Sequence, residues 1–161
     1  MSIILPIISL IALIGLDRLT KYLAYTGLQN GPVVLIDGAL ELRYLENRGM
    51  AFGLLQNQRV LFIIITVVIL AALVYIYTKI PAGRRFIPLK VLAVFIAAGA
   101  LGNFIDRIFQ GFVVDFVYIS LIDFPVFNVA DIYVSWSAVL LLILLLTKYK
   151  DLTFTKTKHD N

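Results

Sequence analysis

Four stretches of the chain stay apolar for long enough to cross a lipid bilayer: Ile3 to about Leu23, Val60 to Tyr77, Leu89 to about Ile108, and about Ile132 to Leu146. A helical span needs about 20 residues, and the shorter stretches reach this with flanking residues or by local thinning of the bilayer. Between them the pattern changes. "ALELRYLEN", Ala39 to Asn47, alternates apolar and polar residues and predicts a half-buried strand. "FVYISLID", Phe116 to Asp123, is apolar at most positions and predicts a short helix lying in the membrane interface. No heptad or internal repeat is present. A polar tail, residues 151 to 161, carries the signature of disorder.

Composition supports the membrane reading. The chain of 161 residues is 61% hydrophobic and only 15% charged, well below the quarter expected of a soluble domain. The expectation is an all-α membrane protein of one domain, residues 1 to 150, with four transmembrane helices and a polar cytoplasmic tail. The first stretch lacks both a basic leader and a small-residue cleavage site, so it reads as a retained span rather than a removable signal peptide. Absence of cysteine excludes disulfides, thiolate nucleophiles and cysteine-ligated metals. The only histidine, His159, lies in the polar tail. A net charge of +4 without a dense basic face gives no footprint for nucleic acid.

The placement of charge predicts a direction. Lys79, Arg84, Arg85 and Lys90 stand between the second and third stretches with no acid among them, and Lys148, Lys150, Lys156 and Lys158 follow the fourth. Cytoplasmic loops carry this excess, so both termini are expected inside. Thr26 to Arg59 balances its charges, and Phe109 to Asp131 holds Asp115, Asp123 and Asp131 with no base after Phe109. These segments are expected outside.

Several polar residues then need a reason to be where they are. A charge at a helix centre costs about 2.5 to 3.5 kcal/mol on insertion scales. Yet Asp17, Arg18 and Lys21 lie towards the outer end of the first stretch, Asn103, Asp106 and Arg107 towards that of the third, and Asn128 and Asp131 at the outer start of the fourth. Single residues of this kind are explained by snorkelling or by an ion pair between helices, whereas polar groups from three spans at one depth suggest a site. No phosphate loop, serine elbow or zinc-protease pattern occurs, which leaves carboxylates to carry any chemistry. Asp115 and Asp131 each sit where an apolar segment meets an outer loop. If the fold pairs them in a low-dielectric site, one keeps a proton while the other is charged, the arrangement that activates water in aspartic proteases. Spacing alone leaves a structural or ion-binding role open, and with it an ion-coupled transporter or a membrane scaffold.

The blocks "DRLTK" (Asp17 to Lys21), "NRGMAFG" (Asn47 to Gly53), "GALGNFIDR" (Gly99 to Arg107), "GFVVDF" (Gly111 to Phe116) and "FPVFNVAD" (Phe124 to Asp131) resemble, in order, those of the bacterial lipoprotein signal peptidases, signal peptidase II. The resemblance implies a four-span intramembrane aspartyl endopeptidase of the bacterial cytoplasmic membrane. It implies cleavage of diacylglyceryl-modified prolipoproteins just before the lipid-modified cysteine. Its catalytic pair falls on Asp115 and Asp131. Asp17, Lys21, Asn47, Asn103, Asp106, Arg107, Asn128 and Ala130 fall on positions that orient substrate or brace the pair. A small extracytoplasmic β-sheet and a short interfacial helix would fall on "ALELRYLEN" and "FVYISLID". No metal or organic cofactor, no nucleic acid and no second subunit is expected; the partners are the prolipoprotein and membrane lipid. Arg18 stands where this family commonly has Gln, Glu46 where a basic residue is frequent, and Ile132 where Ser is frequent.

Overall fold

The computed structural model describes residues 4–49 and 58–150. Ile3, the Met50 to Gly53 part of the "NRGMAFG" block and the tail expected over 151–161 therefore lie outside the described residues.

Four long helices dominate: α1 (Ile4–Gly27), α2 (Arg59–Lys79), α3 (Ile87–Phe109) and α4 (Val129–Thr147). Their side chains are arranged inside out relative to a soluble bundle. Ile4, Ile11, Val68, Val74, Leu142 and Leu146 are all more than half exposed, and only Phe62 is buried along α2. Surfaces of this kind are stable against hydrocarbon rather than water. Three helical segments, Arg59–Lys79, Arg84–Phe109 and Val129–Thr147, are long and apolar enough to cross a membrane. α1 is 24 residues long but carries Asp17, Arg18 and Lys21 in its second half, so length and composition alone do not place it in that class.

α3 is the central helix and packs against each of the other three. Small residues permit the approach. A Cβ on Gly99 would stand 2.3 Å from the carbonyl oxygen of Ala130, and one on Gly102 would stand 2.5 Å from Oδ2 of Asp17. Ala98 and Ala130 are completely buried in the same layer. Close backbone contact of this kind is how helices associate where no hydrophobic effect drives them together.

At one end of the bundle sits a three-stranded antiparallel sheet in the order β1 (Val33–Ile36), β2 (Leu40–Asn47), β3 (Val113–Tyr118). β2 is the strand that alternation predicts. β1 joins it through a tight turn at Gly38 (φ +65°), where the Ala39 amide donates to the Ile36 carbonyl. β3 corrects the reading of "FVYISLID": Phe116 to Tyr118 continue the strand, and only Ser120–Ile122 form a short 3-10 helix. The β-branched and aromatic run from Val113 to Tyr118 favours a pleated strand once β2 is present to pair with it. Asn47 stands opposite Val113, Glu46 opposite Val114 and Leu45 opposite Asp115.

One more bridge completes the sheet end. Val117 and Phe127 exchange backbone hydrogen bonds of 2.8 and 3.0 Å. This pins the segment before α4 against β3 and brings Asn128 and Asp131 up to Asp115.

Candidate active site

The site is built from the start of α4. Asn128 is the N-cap, in extended conformation (φ −129°, ψ −178°), and its Oδ1 accepts from the Asp131 amide at 3.0 Å. Oδ2 of Asp131 in turn accepts from the Asn128 amide at 3.1 Å. This reciprocal capping box satisfies donors that the helix leaves unpaired and fixes the Asp131 side chain against its own backbone. The NH2 of the Asn128 side chain is engaged as well: Nδ2 donates to Oδ1 of Asp115 at 2.6 Å and to Oδ1 of Asn103 at 3.2 Å. One amide thus joins the two aspartates, holding Asp115 by its side chain and Asp131 by the cap.

Each carboxylate has a second amide. Asn47 Nδ2, from the end of β2, donates to Oδ2 of Asp115 at 2.8 Å, while Oδ1 of Asn47 accepts from the Gly49 amide. Asn103 Nδ2, from α3, donates to Oδ1 of Asp131 at 2.8 Å. Asp115 is 1% exposed and Asn128 is fully buried. Burial first, and the charge of Asp131 second, push the Asp115 carboxyl up to about 7 from its ordinary 3.8, against the opposing hydrogen bonds from Asn47 and Asn128 and the charge of Lys21.

Behind this pair lies a buried ion cluster. Nζ of Lys21 donates to Oδ1 of Asn103 at 2.8 Å and pairs with Asp17 at 2.9 Å and Asp106 at 2.8 Å. Asp17 and Asp106 are fully buried, and Lys21 is 2% exposed. The ammonium thus donates one hydrogen bond, to Asn103, and stands at ion-pair distance from both carboxylates. Because the Asn103 oxygen must face Lys21, its amide NH2 must face Asp131. The cluster sets which way Asn103 is turned. Asp17 also accepts from the Ala130 amide at 3.1 Å, tying α1 to the first turn of α4. Arg107 stands over the Phe62 ring at 4.7 Å and donates to the backbone carbonyls of Asn103 and Gly49.

Every one of the ten residues singled out from the sequence is thus in, or one contact from, a single network. Asp106 is turned away from Asp115 and Asp131 towards α1. Arg18, which belongs to the polar group at the outer end of the first apolar stretch, pairs with Asp106 from the exposed side of the cluster. Its signal was the spacing of Asp17, Arg18 and Lys21, which puts Asp17 above Lys21 at i,i+4 and Arg18 one position round the helix. Gln110, which donates to Asp106 at 3.3 Å, carried no signal.

Both aspartates open onto a groove of about 770 Å³ between α2, α3, α4 and the segment before α4. Asn47, Asn103 and Arg107 line its polar end, and Phe62, Ile69, Ile96, Val134 and Trp136 line its apolar run. No group of side chains suited to hold a metal ion occurs among the described residues. Chemically, the arrangement presents two carboxyls, held by amides, at the head of an apolar groove.

Comparison with known proteins agrees over nearly the whole chain. A family model for signal peptidase (SPase) II matches residues 9–147. The lipoprotein signal peptidase of Streptococcus thermophilus is 42% identical over 142 residues, covering 88% of this chain and 91% of that one. That of Streptococcus pyogenes serotype M1 is 38% identical over 140 residues, covering 86% and 91%. A bacterial membrane enzyme solved by the in meso method at 2.3 Å superposes with a TM-score of 0.83 at 33% identity, over 99% of this chain and 95% of its own. A second such structure, at 1.9 Å, gives 0.80 at 35% identity over 90% and 94%. The family match and the structural neighbours place the chain among membrane peptidases. The chain belongs to the signal peptidase II family.

Proposed function

We propose that this chain is an intramembrane aspartyl endopeptidase that removes the signal peptide from diacylglyceryl-modified prolipoproteins, cutting before the lipid-modified cysteine. The observation that carries this reading is the joint one at Asn128: a single amide and a single helix cap hold Asp115 and Asp131 together at the head of an apolar groove.

The signal-peptide helix enters the groove sideways from the bilayer and unwinds beside the two carboxyls, since a helical peptide bond has its carbonyl already bonded. Asn47 and Arg107 face the groove and supply donors for the freed backbone, which hydrocarbon would leave unsatisfied. Asp115, whose carboxyl is held up near neutrality, carries the shared proton and donates it towards the scissile carbonyl oxygen. Asp131, ionised, accepts a proton from water as the oxygen of that water attacks the carbonyl carbon. Collapse of the tetrahedral gem-diol breaks the C–N bond: the proton held on Asp131 passes to the leaving amine of the cysteine, and Asp115 takes back a proton from one hydroxyl as the C=O re-forms, which restores both carboxyls. No cofactor enters this scheme.

The same reading sets the protein as a monomer in the bacterial cytoplasmic membrane with α1 as a fourth span. Both termini face the cytoplasm, and the sheet and the two aspartates lie at the extracytoplasmic face.

Purified enzyme should cleave a diacylglyceryl-modified prolipoprotein and leave the unmodified precursor intact. Asp115→Asn and Asp131→Asn should each lower kcat/KM by about a thousandfold or more while the protein still inserts and purifies normally. Substantial cleavage by either variant would defeat the assignment of the pair.

A further inference from the structure

Strand alternation gives the sheet a second working face. Along β2 and β3, Asn47 and Asp115 point into the groove with the two carboxyls, and the neighbouring residues Glu46 and Val114 point the other way. There they line a separate cavity of about 460 Å³, closed on its other side by α1 and by Gln110 and Phe112. The wall from α1 is Arg18, Lys21, Tyr22 and Tyr25, spaced i, i+3, i+4 and i+7 and so on one stripe of the helix.

Two cations, Arg18 and Lys21, stand on the wall of this cavity among aromatic rings, and Lys21 is already held by Asn103, Asp17 and Asp106. Arg18 uses Nη1 on Asp106, and its side chain is 37% exposed. No other hydrogen bond or ion pair engages the guanidinium among the described residues, and Arg18 borders the cavity. The one carboxylate on the wall, Glu46, is already held by Arg48 at 2.7 Å and by the Tyr44 hydroxyl at 3.3 Å, so it does not compete for Arg18. Tyr22 and Tyr25 are more than half exposed on the outer surface of α1, at the level where the span meets the sheet. Tyrosine at that depth marks the headgroup layer, and a planar fork with a free edge is the geometry that grips phosphate.

We infer that the cavity behind the sheet is a phosphate-binding site for a phospholipid headgroup, gripped by the free edge of Arg18 and flanked by Tyr22 and Tyr25. It is separate from the groove that holds the two aspartates, and the diacylglyceryl group of the proposed substrate, which carries no phosphate, has no claim on it. A bound headgroup would sit one ion pair from the Asp106–Lys21–Asn103 chain and so link the lipid around α1 to the setting of Asn103. The headgroup depth rests on the topology proposed above; the fork and the cavity do not.

Native mass spectrometry of the delipidated full chain in detergent tests this with three probes: dioleoyl phosphatidylglycerol, dioleoylglycerol and inorganic phosphate. The expected result is one tightly retained phosphatidylglycerol, weak retention of dioleoylglycerol, and no displacement by millimolar inorganic phosphate. Arg18→Gln should weaken phosphatidylglycerol about tenfold, as should Arg18→Lys, which keeps a charge against Asp106 but loses the fork. Should Arg18→Gln fail to fold, Arg18→Lys alone decides. Asp115→Asn should bind phosphatidylglycerol as the unaltered protein does, which separates this site from the peptidase reading. Undiminished binding by Arg18→Lys, equal retention of dioleoylglycerol, loss of binding in Asp115→Asn, or displacement by free phosphate would each overturn it.

Discussion

At the scale of the residue, Asp115 has the most to say about pH. Its carboxyl is pushed up to about 7, mainly by burial and then by the charge of Asp131, whereas in the unfolded chain it titrates near 3.8. The folded protein therefore binds this proton more tightly than the unfolded one. Stability from this group is complete below about pH 4, is lost progressively as pH rises to about 7, and then stays level. Compared with Asp115→Asn, which cannot ionise, the melting temperature of the unaltered protein should fall across that window, and the gap should stop widening above pH 7. A constant gap from pH 4 to pH 8 would contradict the shifted carboxyl. Activity should follow the same proton. On the proposed mechanism kcat/KM falls about tenfold per pH unit once pH exceeds about 7.

At the scale of the element, the start of α4 combines a structural task with a chemical one, and the two can be separated. Asn128→Ala removes both the cap and the amide that reaches Asp115, and should cost about 1 kcal/mol of stability along with most activity. Asn128→Ser restores an oxygen for the Asp131 amide but no NH2 for Asp115, so thermal stability should recover while cleavage does not. Recovery of both would mean that Asn128 matters only as a cap. The contact of α3 with its neighbours gives a second expectation at this scale. Gly99→Ala drives a methyl into the backbone carbonyl of Ala130, which cannot swing aside, and Gly102→Ala drives one into the buried Asp17 carboxylate. Each should destabilise by about 1 to 3 kcal/mol, read as a lower melting temperature in detergent. How far the elements were legible follows from their surroundings. β2 showed in the sequence because apolar and polar residues alternate along it, although both its faces are partly buried from Leu40 to Tyr44. β1, "VVLI", is exposed on every residue, and β3 is buried at four successive residues, so neither alternates. The two aspartates stood out because each sits where an apolar segment meets an outer loop, while their pairing was implied by the family resemblance and not by spacing. Arg18 was legible as one of the converging polar residues, but its pairing with Asp106 was not, since the two lie 88 residues apart and only the fold brings them together.

At the scale of the whole molecule, the two ends of the bundle are chemically unlike. The end with the sheet holds the two aspartates and the buried ion cluster. The other end gathers Lys79, Arg84, Arg85, Lys90 and Lys148, and it is closed by packing rather than by charge. Ile80, Leu89 and Tyr149 form a buried cluster there, Phe86 stacks on Tyr149 at 5.9 Å, and the Tyr149 hydroxyl donates to the Arg85 carbonyl. The basic link before α3 is thereby fastened to the end of α4, so both must lie on the same side of the membrane. An excess of Lys and Arg is characteristic of cytoplasmic loops, and the proposed topology puts this end of the bundle on the cytoplasmic side. The chain has no cysteine, so an engineered thiol is the only one present and reports its own side without background. Asn30 is exposed in the turn after α1, and Ala82 is exposed in the basic link. In intact cells a membrane-impermeant maleimide should label Asn30→Cys at once and Ala82→Cys only after permeabilisation. Labelling of both from outside would mean that the basic link is not cytoplasmic, and labelling of Ala82→Cys alone would invert the bundle. Equal protection of both until permeabilisation would put the turn after α1 inside, and with it the two aspartates away from the extracytoplasmic face that the proposed topology requires.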